Sequence, residues 1–352
     1  MGLTGRPPFR IALAVLAALG STATLAGCDA AQHGYPVTMF RPESPQSGYI
    51  YNLTITIGII AAIAFVIVEG WLLIAAFRFR NRPEEQAVQT HGNLKLEAGW
   101  TIVTAVVMFA VLGLTIKTMV DVTALPVSAA VPAGSAFPGD MVTIKVTGHQ
   151  WWWAFEFPGE GVVTANEVHV PVGRTVRVQL ESADVIHSFW IPRLNGKTDT
   201  IPGHTNYTSF LAAAPGVYHG LCGEYCGAEH AHMGFRVIAE SVTSFSDWMR
   251  AQQANAAQPT TDQQKAGAQD FVRVCSACHT ARGTQAQGKI GPDLTHFGSR
   301  QTLAADMLDN TPQNVATWLH DPQAVKPENL MPNLHLDQAT IDQLVAYLEN
   351  LK

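Results

Sequence analysis

The chain has 352 residues, 22 Lys+Arg against 28 Asp+Glu, 47% hydrophobic residues and only 14% charged ones, against the ~25% charge usual in a soluble domain. That balance excludes disorder along the whole length and a nucleic-acid binder with a basic footprint. The length allows two or three domains, and the five cysteines are too few for a disulfide scaffold.

Arg6 and Arg10 precede an apolar run, Ile11 to Leu19, the layout of a secretory signal too short to cross a bilayer. It closes in Leu25-Ala26-Gly27-Cys28, which resembles a bacterial lipoprotein box. The resemblance implies removal of residues 1–27 and a diacylglycerol on the sulfur of Cys28; a plain signal peptide with an incidental cysteine is the alternative. Residues 28–48 then form an N-terminal outer segment. Tyr49 to Phe77 and Trp100 to Met119 are apolar over the ~20 residues that a membrane helix needs, so 49–120 reads as a two-span hairpin. Arg78, Arg80, Arg82 and Lys95 cluster between the spans and place that loop in the cytoplasm. Both ends of the hairpin then face outward, in agreement with an exported N-terminus. Glu69 inside the first span is a functional candidate by position, although near the inner boundary it equally reaches water or pairs with a partner subunit. Glu97 opens the second span, where an acid favours a helix N-terminus.

After Pro126 the pattern turns to short β-type segments broken by Gly and Pro: Met141–Thr147, Trp151–Phe157, Glu167–Val170, Thr175–Leu180 and Gly234–Ala239. Such spacing predicts an all-β sandwich or barrel over 126–245. Its end carries Cys222-Gly223-Glu224-Tyr225-Cys226, followed by His230 and Met233. Two thiols, an imidazole and a thioether form a soft donor set that selects copper over calcium or magnesium. A second cysteine four residues after the first lets both sulfurs bridge two metals. The second imidazole must come from elsewhere, and His187 in Asp184-Val185-Ile186-His187 is the natural donor. A Cys222–Cys226 disulfide leaves His230 and Met233 unexplained, and zinc rarely takes methionine.

The order of hairpin, Gly148-His149-Gln150-Trp151-Trp152-Trp153, Asp184 to Ser188 and the loop from Cys222 to Met233 resembles cytochrome c oxidase subunit II over about residues 45–240. The resemblance implies a cupredoxin fold with a dinuclear CuA centre. Cys222 and Cys226 would bridge the coppers, with His187 and His230 ligating one each. Met233 and the carbonyl of Glu224 would be the weak ligands. It further implies a magnesium ion held by the Glu224 side chain at the catalytic-subunit interface, electrons entering at Trp151 as an exposed ring above the copper, and Glu97 at the mouth of a proton pathway. Trp153 reads as core. His204 follows Gly203 where the family often has Arg, and His219 and His232 flank the loop off the ligand positions.

A linker follows over 246–264, polar and low in complexity from Arg250 onward, expected to act as a flexible tether reaching roughly 20–25 Å. Cys275-Ser276-Ala277-Cys278-His279 is the attachment signature of c-type haem, adding two thiols across the vinyl groups with His279 on the iron. Nothing downstream offers the second cysteine pair that a zinc knuckle needs. Residues 265–352 therefore read as an all-α class I cytochrome c domain. Met331 in a Pro-flanked loop is the expected axial ligand ahead of Met307. Gly291-Pro292-Asp293-Leu294 resembles the segment whose proline carbonyl orients the histidine. Ile341, Leu344, Val345 and Leu348 give a closing amphipathic helix. All five cysteines are thereby employed.

The fusion resembles the subunit II of caa-type haem–copper oxidases. That implies electrons entering at haem c, passing through CuA to the haem of a catalytic subunit I that reduces dioxygen to water and pumps protons, with a subunit III and a donor that is a cytochrome c or a quinol-oxidising complex. A copper-containing subunit of a nitric-oxide reductase is the alternative. A copper-delivery lipoprotein is a further one, disfavoured by the haem-attachment motif.

Overall fold

The computed structural model describes residues 37–79, 91–124 and 141–352. The signal segment, Cys28 and the basic residues Arg80 and Arg82 lie outside the described residues.

Two long helices open the described chain, α1 (Pro45–Arg78) and α2 (Leu94–Thr123). Ser44 caps α1 in a capping box with Ser47, and Pro45 occupies the first turn, where its missing N–H costs nothing. Each helix contains an 18-residue apolar window with no buried residue, the property of spans that lipid rather than protein covers. The chain is thus a two-span membrane protein. The start of α1 is strapped to the β domain: Ser47 Oγ donates to Arg193 O at 2.7 Å, and Arg193 Nη2 pairs with Glu43 at 2.8 Å.

The β domain is a sandwich of two five-stranded sheets. Its strands are β1 (Met141–His149), β2 (Trp152–Phe157), β3 (Val162–Ala165), β4 (Glu167–Pro171), β5 (Thr175–Ser182), β6 (His187–Trp190), β7 (Thr198–Thr200), β8 (Asn206–Leu211), β9 (Gly216–Cys222) and β10 (Gly234–Glu240). One sheet runs β3-β2-β1-β5-β8 and the other β4-β10-β9-β6-β7. Alternation drives this layering: Val142, Ile144 and Val146 of β1 and Val176, Val178 and Leu180 of β5 point inward. The architecture is cupredoxin-like. Of these strands, β3, β6, β7, β8 and β9 lack a clean apolar alternation in sequence and are held by pairing with their neighbours in the sheets.

Helix α3 (Val242–Gln253) follows, and residues 246–253 of the expected tether belong to it. Phe245, Trp248 and Met249 recur at helical spacing and pack against the sandwich, Phe157 to Trp248 at 5.7 Å between ring centres. The rest of that segment is also bound: Ala256 is buried with its N–H on Arg282 O at 2.8 Å, and Arg282 Nη2 donates to Ala254 O at 2.8 Å. The free tether is therefore replaced by a folded connection, because side chains of the next domain satisfy its backbone.

The C-terminal domain comprises α4 (Asp262–Val274), a short ribbon of β11 (Thr302–Leu303) and β12 (Leu308–Asp309), α5 (Pro312–His320), α6 (Pro322–Val325) and α7 (Gln338–Asn350). Phe271 of α4 meets Tyr347 of α7 at 5.4 Å, and Ile341, Leu344 and Leu348 face the same core.

Candidate metal centre and haem pocket

The copper loop hangs between β9 and β10, with His187 brought to it by β6. Cys222 and Cys226 are reduced and buried, their sulfurs 3.8 Å apart. His187 Nδ1 lies 4.0 Å from Cys222 Sγ, and His230 Nδ1 lies 3.6 Å from Cys226 Sγ. Met233 Sδ stands 3.8 Å from Cys226 Sγ, and the Glu224 carbonyl 3.1 Å from Cys222 Sγ. All six expected groups thus converge, from sequence positions up to 46 apart.

Several devices hold them there. Asp184 Oδ1 accepts from His187 Nε2 at 2.7 Å, which fixes the ring so that Nδ1 faces the sulfurs. Trp153, fully buried, packs edge-on to His187 at 5.9 Å. Gly148 is required by close approach, since a Cβ there would sit 2.8 Å from the His187 ring. The Glu224 side chain points away, 3.7 Å from Lys197 Nζ and half exposed. Hydrogen bonding with Cys226 holds the Cys222 thiol well below its usual range, and the same pairing, with burial, pushes Cys226 up. One proton leaves readily and the other is retained, so a doubly deprotonated pair calls for cationic charge beside it. Soft donors that need a cation fit copper.

In the C-terminal domain, Cys275, Cys278, His279 and Met331 line one cavity with apolar walls that include Phe271, Leu294, Phe297 and Leu319. His279 Nδ1 donates to Pro292 O at 2.8 Å, leaving Nε2 for an iron. Burial holds its imidazolium below the ordinary range, so the ring is neutral at pH 7, the form that ligates. Gly291 lies against that ring, where a Cβ would come within 2.6 Å of it. Met331 Sδ accepts from Trp318 Nε1 at 3.2 Å, while Met307 does not line the cavity. Arg300 also lines it, and its buried Nε has no hydrogen-bond partner among the described residues, an orphaned donor that a haem carboxylate would satisfy. The residues fit a covalently held haem.

Trp151 departs from expectation. Its ring is 6% exposed rather than open to solvent, because the C-terminal domain docks over it and Trp151 and Trp152 form one wall of the haem cavity. Its indole Nε1 donates to Cys226 O at 3.0 Å. Glu97 lies in the first turn of α2 and is not among the residues of the haem cavity or of the His187, Cys222 and Cys226 cluster. His219 and His232 pair with carboxylates, Asp306 at 3.0 Å and Glu229 at 2.5 Å. Sequence reasoning missed Asp184 as the orienting partner of His187, although its place three residues earlier was a signal, and missed Lys326 and Asp306, discussed below.

A cupredoxin sandwich with a buried Cys/His/Met loop, anchored by two spans and joined to a haem-binding helical domain, defines a membrane electron-transfer protein. Residues 35–116 match the transmembrane domain of cytochrome c oxidase subunit II, residues 160–242 its periplasmic domain, and residues 264–352 cytochrome c. Cytochrome c oxidase subunit 2 of Alkalihalophilus pseudofirmus is 34% identical over 94% of this chain and 94% of its own. That of Bacillus sp. strain PS3 is 33% identical over 78% of this chain and 79% of its own. A crystal structure of the periplasmic domain of subunit II of cytochrome oxidase from Bradyrhizobium japonicum aligns at 35% identity and a TM-score of 0.31, covering 32% of this chain and 93% of that one. The chain belongs to the cytochrome c oxidase subunit II family, in the form that carries a cytochrome c domain.

Proposed function

We propose that this subunit receives single electrons at its C-terminal domain and delivers them, by way of the copper loop, to the haem of a catalytic subunit I. When bound, the haem and the copper pair supply reversible one-electron chemistry. The chain supplies the rest. Cys222, Cys226, His187, His230, Met233 and the Glu224 carbonyl hold the metals; Cys275, Cys278, His279 and Met331 hold the haem. Burial of His187, Cys222, Cys226 and Met233, and the apolar walls around the haem donors, exclude water and limit the rearrangement that a change of charge demands.

The observation that carries this reading is the double role of Trp151, which walls the haem cavity and hydrogen-bonds the carbonyl of Cys226. One side chain therefore spans the gap between the two sites. We read it as the conduit between them, rather than as a landing place for an outside protein.

The two large domains stand on the outer side of the membrane, consistent with an exported N-terminus lipidated at Cys28. Dioxygen reduction to water and proton pumping reside in subunit I, with Glu97 at the mouth of a proton pathway and subunit III in the assembly. Glu224 contributes a magnesium ligand at the subunit I interface, for which it must turn from Lys197. The donor is a cytochrome c or a quinol-oxidising complex. An optical spectrum of the purified complex tests the reading. A near-infrared copper band, a c-type α band and an a-type band are expected, and their reduction in the order c, copper, a. Copper reduced ahead of the c-type haem by the physiological donor would overturn the proposed order.

A further inference from the structure

Lys326 follows α6 in the C-terminal domain and is only 3% exposed. Its ammonium donates to Trp151 O at 2.8 Å, His232 O at 2.7 Å and Ala304 O at 3.3 Å. Two of these acceptors belong to the copper domain and the third to its own. Burying an ammonium is costly unless other dipoles replace its water, and here carbonyl oxygens from both sides of the interface do so. In sequence, a lysine between Val325 and Pro327 reads as a solvated surface charge.

The contacts around it share one target. Gly234 N–H donates to Ala305 O at 3.1 Å, and Gln301 N–H donates to Glu167 Oε2 at 2.9 Å. Asp306 accepts from Arg236 Nε at 2.6 Å and pairs with His219 at 3.0 Å. Ala304, Ala305 and Asp306 hold positive φ angles of 56°, 63° and 67°, a run that L residues keep only where surrounding contacts over-determine it. Met233 is thus gripped on both flanks by the other domain, through the carbonyl of His232 and the amide of Gly234. Lys326 also lines the haem cavity.

We propose that Lys326 is a positioning residue for transfer between the two domains: it ties the wall of the haem cavity to Trp151 and to the segment bearing Met233, so that cavity and copper loop move as one body. The proposal rests on the electron route given above. It replaces diffusion on a tether with a fixed geometry, in which the spacing of the two sites is set by hydrogen bonds to main-chain atoms.

The test uses the full chain carrying both cofactors, with Lys326→Met, which keeps most of the side-chain length and removes the donors. The amides of Gly234 and Gln301, whose acceptors lie across the interface, are expected to exchange with deuterium at least about tenfold faster, as loss of charge-assisted hydrogen bonds implies. Those of Val146 and Leu344, inside the two cores, keep their rates. Haem-to-copper transfer after flash reduction falls by a similar factor, while the absorption bands of both cofactors stay in place. Unchanged exchange at Gly234 and Gln301 with an unchanged transfer rate would overturn the assignment. So would loss of the methionine–iron absorption with both amides still protected, since Lys326 would then serve the haem cavity alone. Where Lys326→Met fails to accumulate, Lys326→Gln, neutral and shorter, is read in the same way, and parental exchange at Gly234 in that variant overturns the proposal. A parental chain that loads both cofactors but shows no transfer between them sinks the electron route, whereas amide exchange still decides whether Lys326 locks the domains.

Discussion

The indole Nε1 of Trp151 donates to the carbonyl oxygen of Cys226 at 3.0 Å, so the ring that walls the haem cavity is also bonded to the backbone of a residue proposed to hold copper. Two sites built by different domains thereby share one side chain. Trp151→Phe keeps a ring and removes that hydrogen bond, which lies within the copper domain, at a cost of about 1 kcal/mol to the seating of the ring on the loop. Transfer from haem to copper is expected to slow while copper content is unchanged. Trp151→Ala slows it further. Flash-induced reduction kinetics on the loaded chain check the order, and equal rates in all three proteins would remove Trp151 from the route.

The paired thiols give a second expectation. Cys226→Ser leaves Cys222 without the partner that lowers it and removes one of the two sulfurs proposed to hold copper. Metal analysis should find less copper than in the parent, for which two ions are expected, and the near-infrared band should vanish. Stripping copper from the parent with a chelator should lower its melting temperature. Metal present at about a thousand times its Kd contributes on the order of 4 kcal/mol to the folded state.

The two candidate methionines are separable. Met331 lines the haem cavity and Met307 does not. Met331→Leu should abolish the methionine–iron absorption and lower the haem potential, because His/Met ligation is what raises it. Met307→Leu should leave both unchanged. The reverse result would move the axial ligand to Met307.

Cutting the chain between Gln258 and Thr261 distinguishes a docked domain from a tethered one. The interface contains buried hydrogen bonds from Lys326 and the partly buried Asp306–Arg236 pair, which salt screens less than exposed charges. The fragments are expected to co-elute at about 0.1 M salt, near a 10 Å Debye length, with the transfer rate retained. Separation at that salt with loss of transfer would restore the tether.

His169 supplies a pH dependence away from the metals. It stacks on Trp248 at 4.4 Å and lies between Glu240 at 2.7 Å and Glu167 at 3.8 Å. Burial works against its charge, but hydrogen bonds and charge from the two carboxylates outweigh it, and its pKa is raised. A raised pKa means that the folded state holds its proton more tightly than the unfolded one. The stabilisation is therefore complete below the ordinary histidine range and is lost as pH rises through the raised value. The gap in melting temperature between parent and His169→Gln should be largest near pH 5.5 and shrink on going to pH 8. A gap that widens with pH would reverse the sign.

Much of the candidate copper site was legible because Cys222, Cys226, His230 and Met233 lie within one loop of twelve residues, where spacing implies convergence; the Glu224 carbonyl came only from the family resemblance. His187 was reached only by asking for a missing imidazole. The haem attachment is similarly local: two thiols and a histidine in five consecutive residues. By contrast, the family resemblance makes Trp151 an exposed ring, and nothing near it in sequence corrects that, since the domain that covers it begins more than a hundred residues later. The linker expected from residue 246 is helix as far as Gln253, because Phe245, Trp248 and Met249 give helical spacing just where the polar tract after Arg250 suggests a loop.

Composition and spacing alone determined the parts: two spans from unbroken apolar runs, a sandwich from alternation, and cofactor chemistry from ligands close together in the chain. Only the tertiary structure decided how the parts meet. Lys326 bonds to Trp151 across 175 residues and His219 to Asp306 across 87. Such pairings leave no periodicity and no motif, because each depends on two surfaces that exist only after both domains have folded.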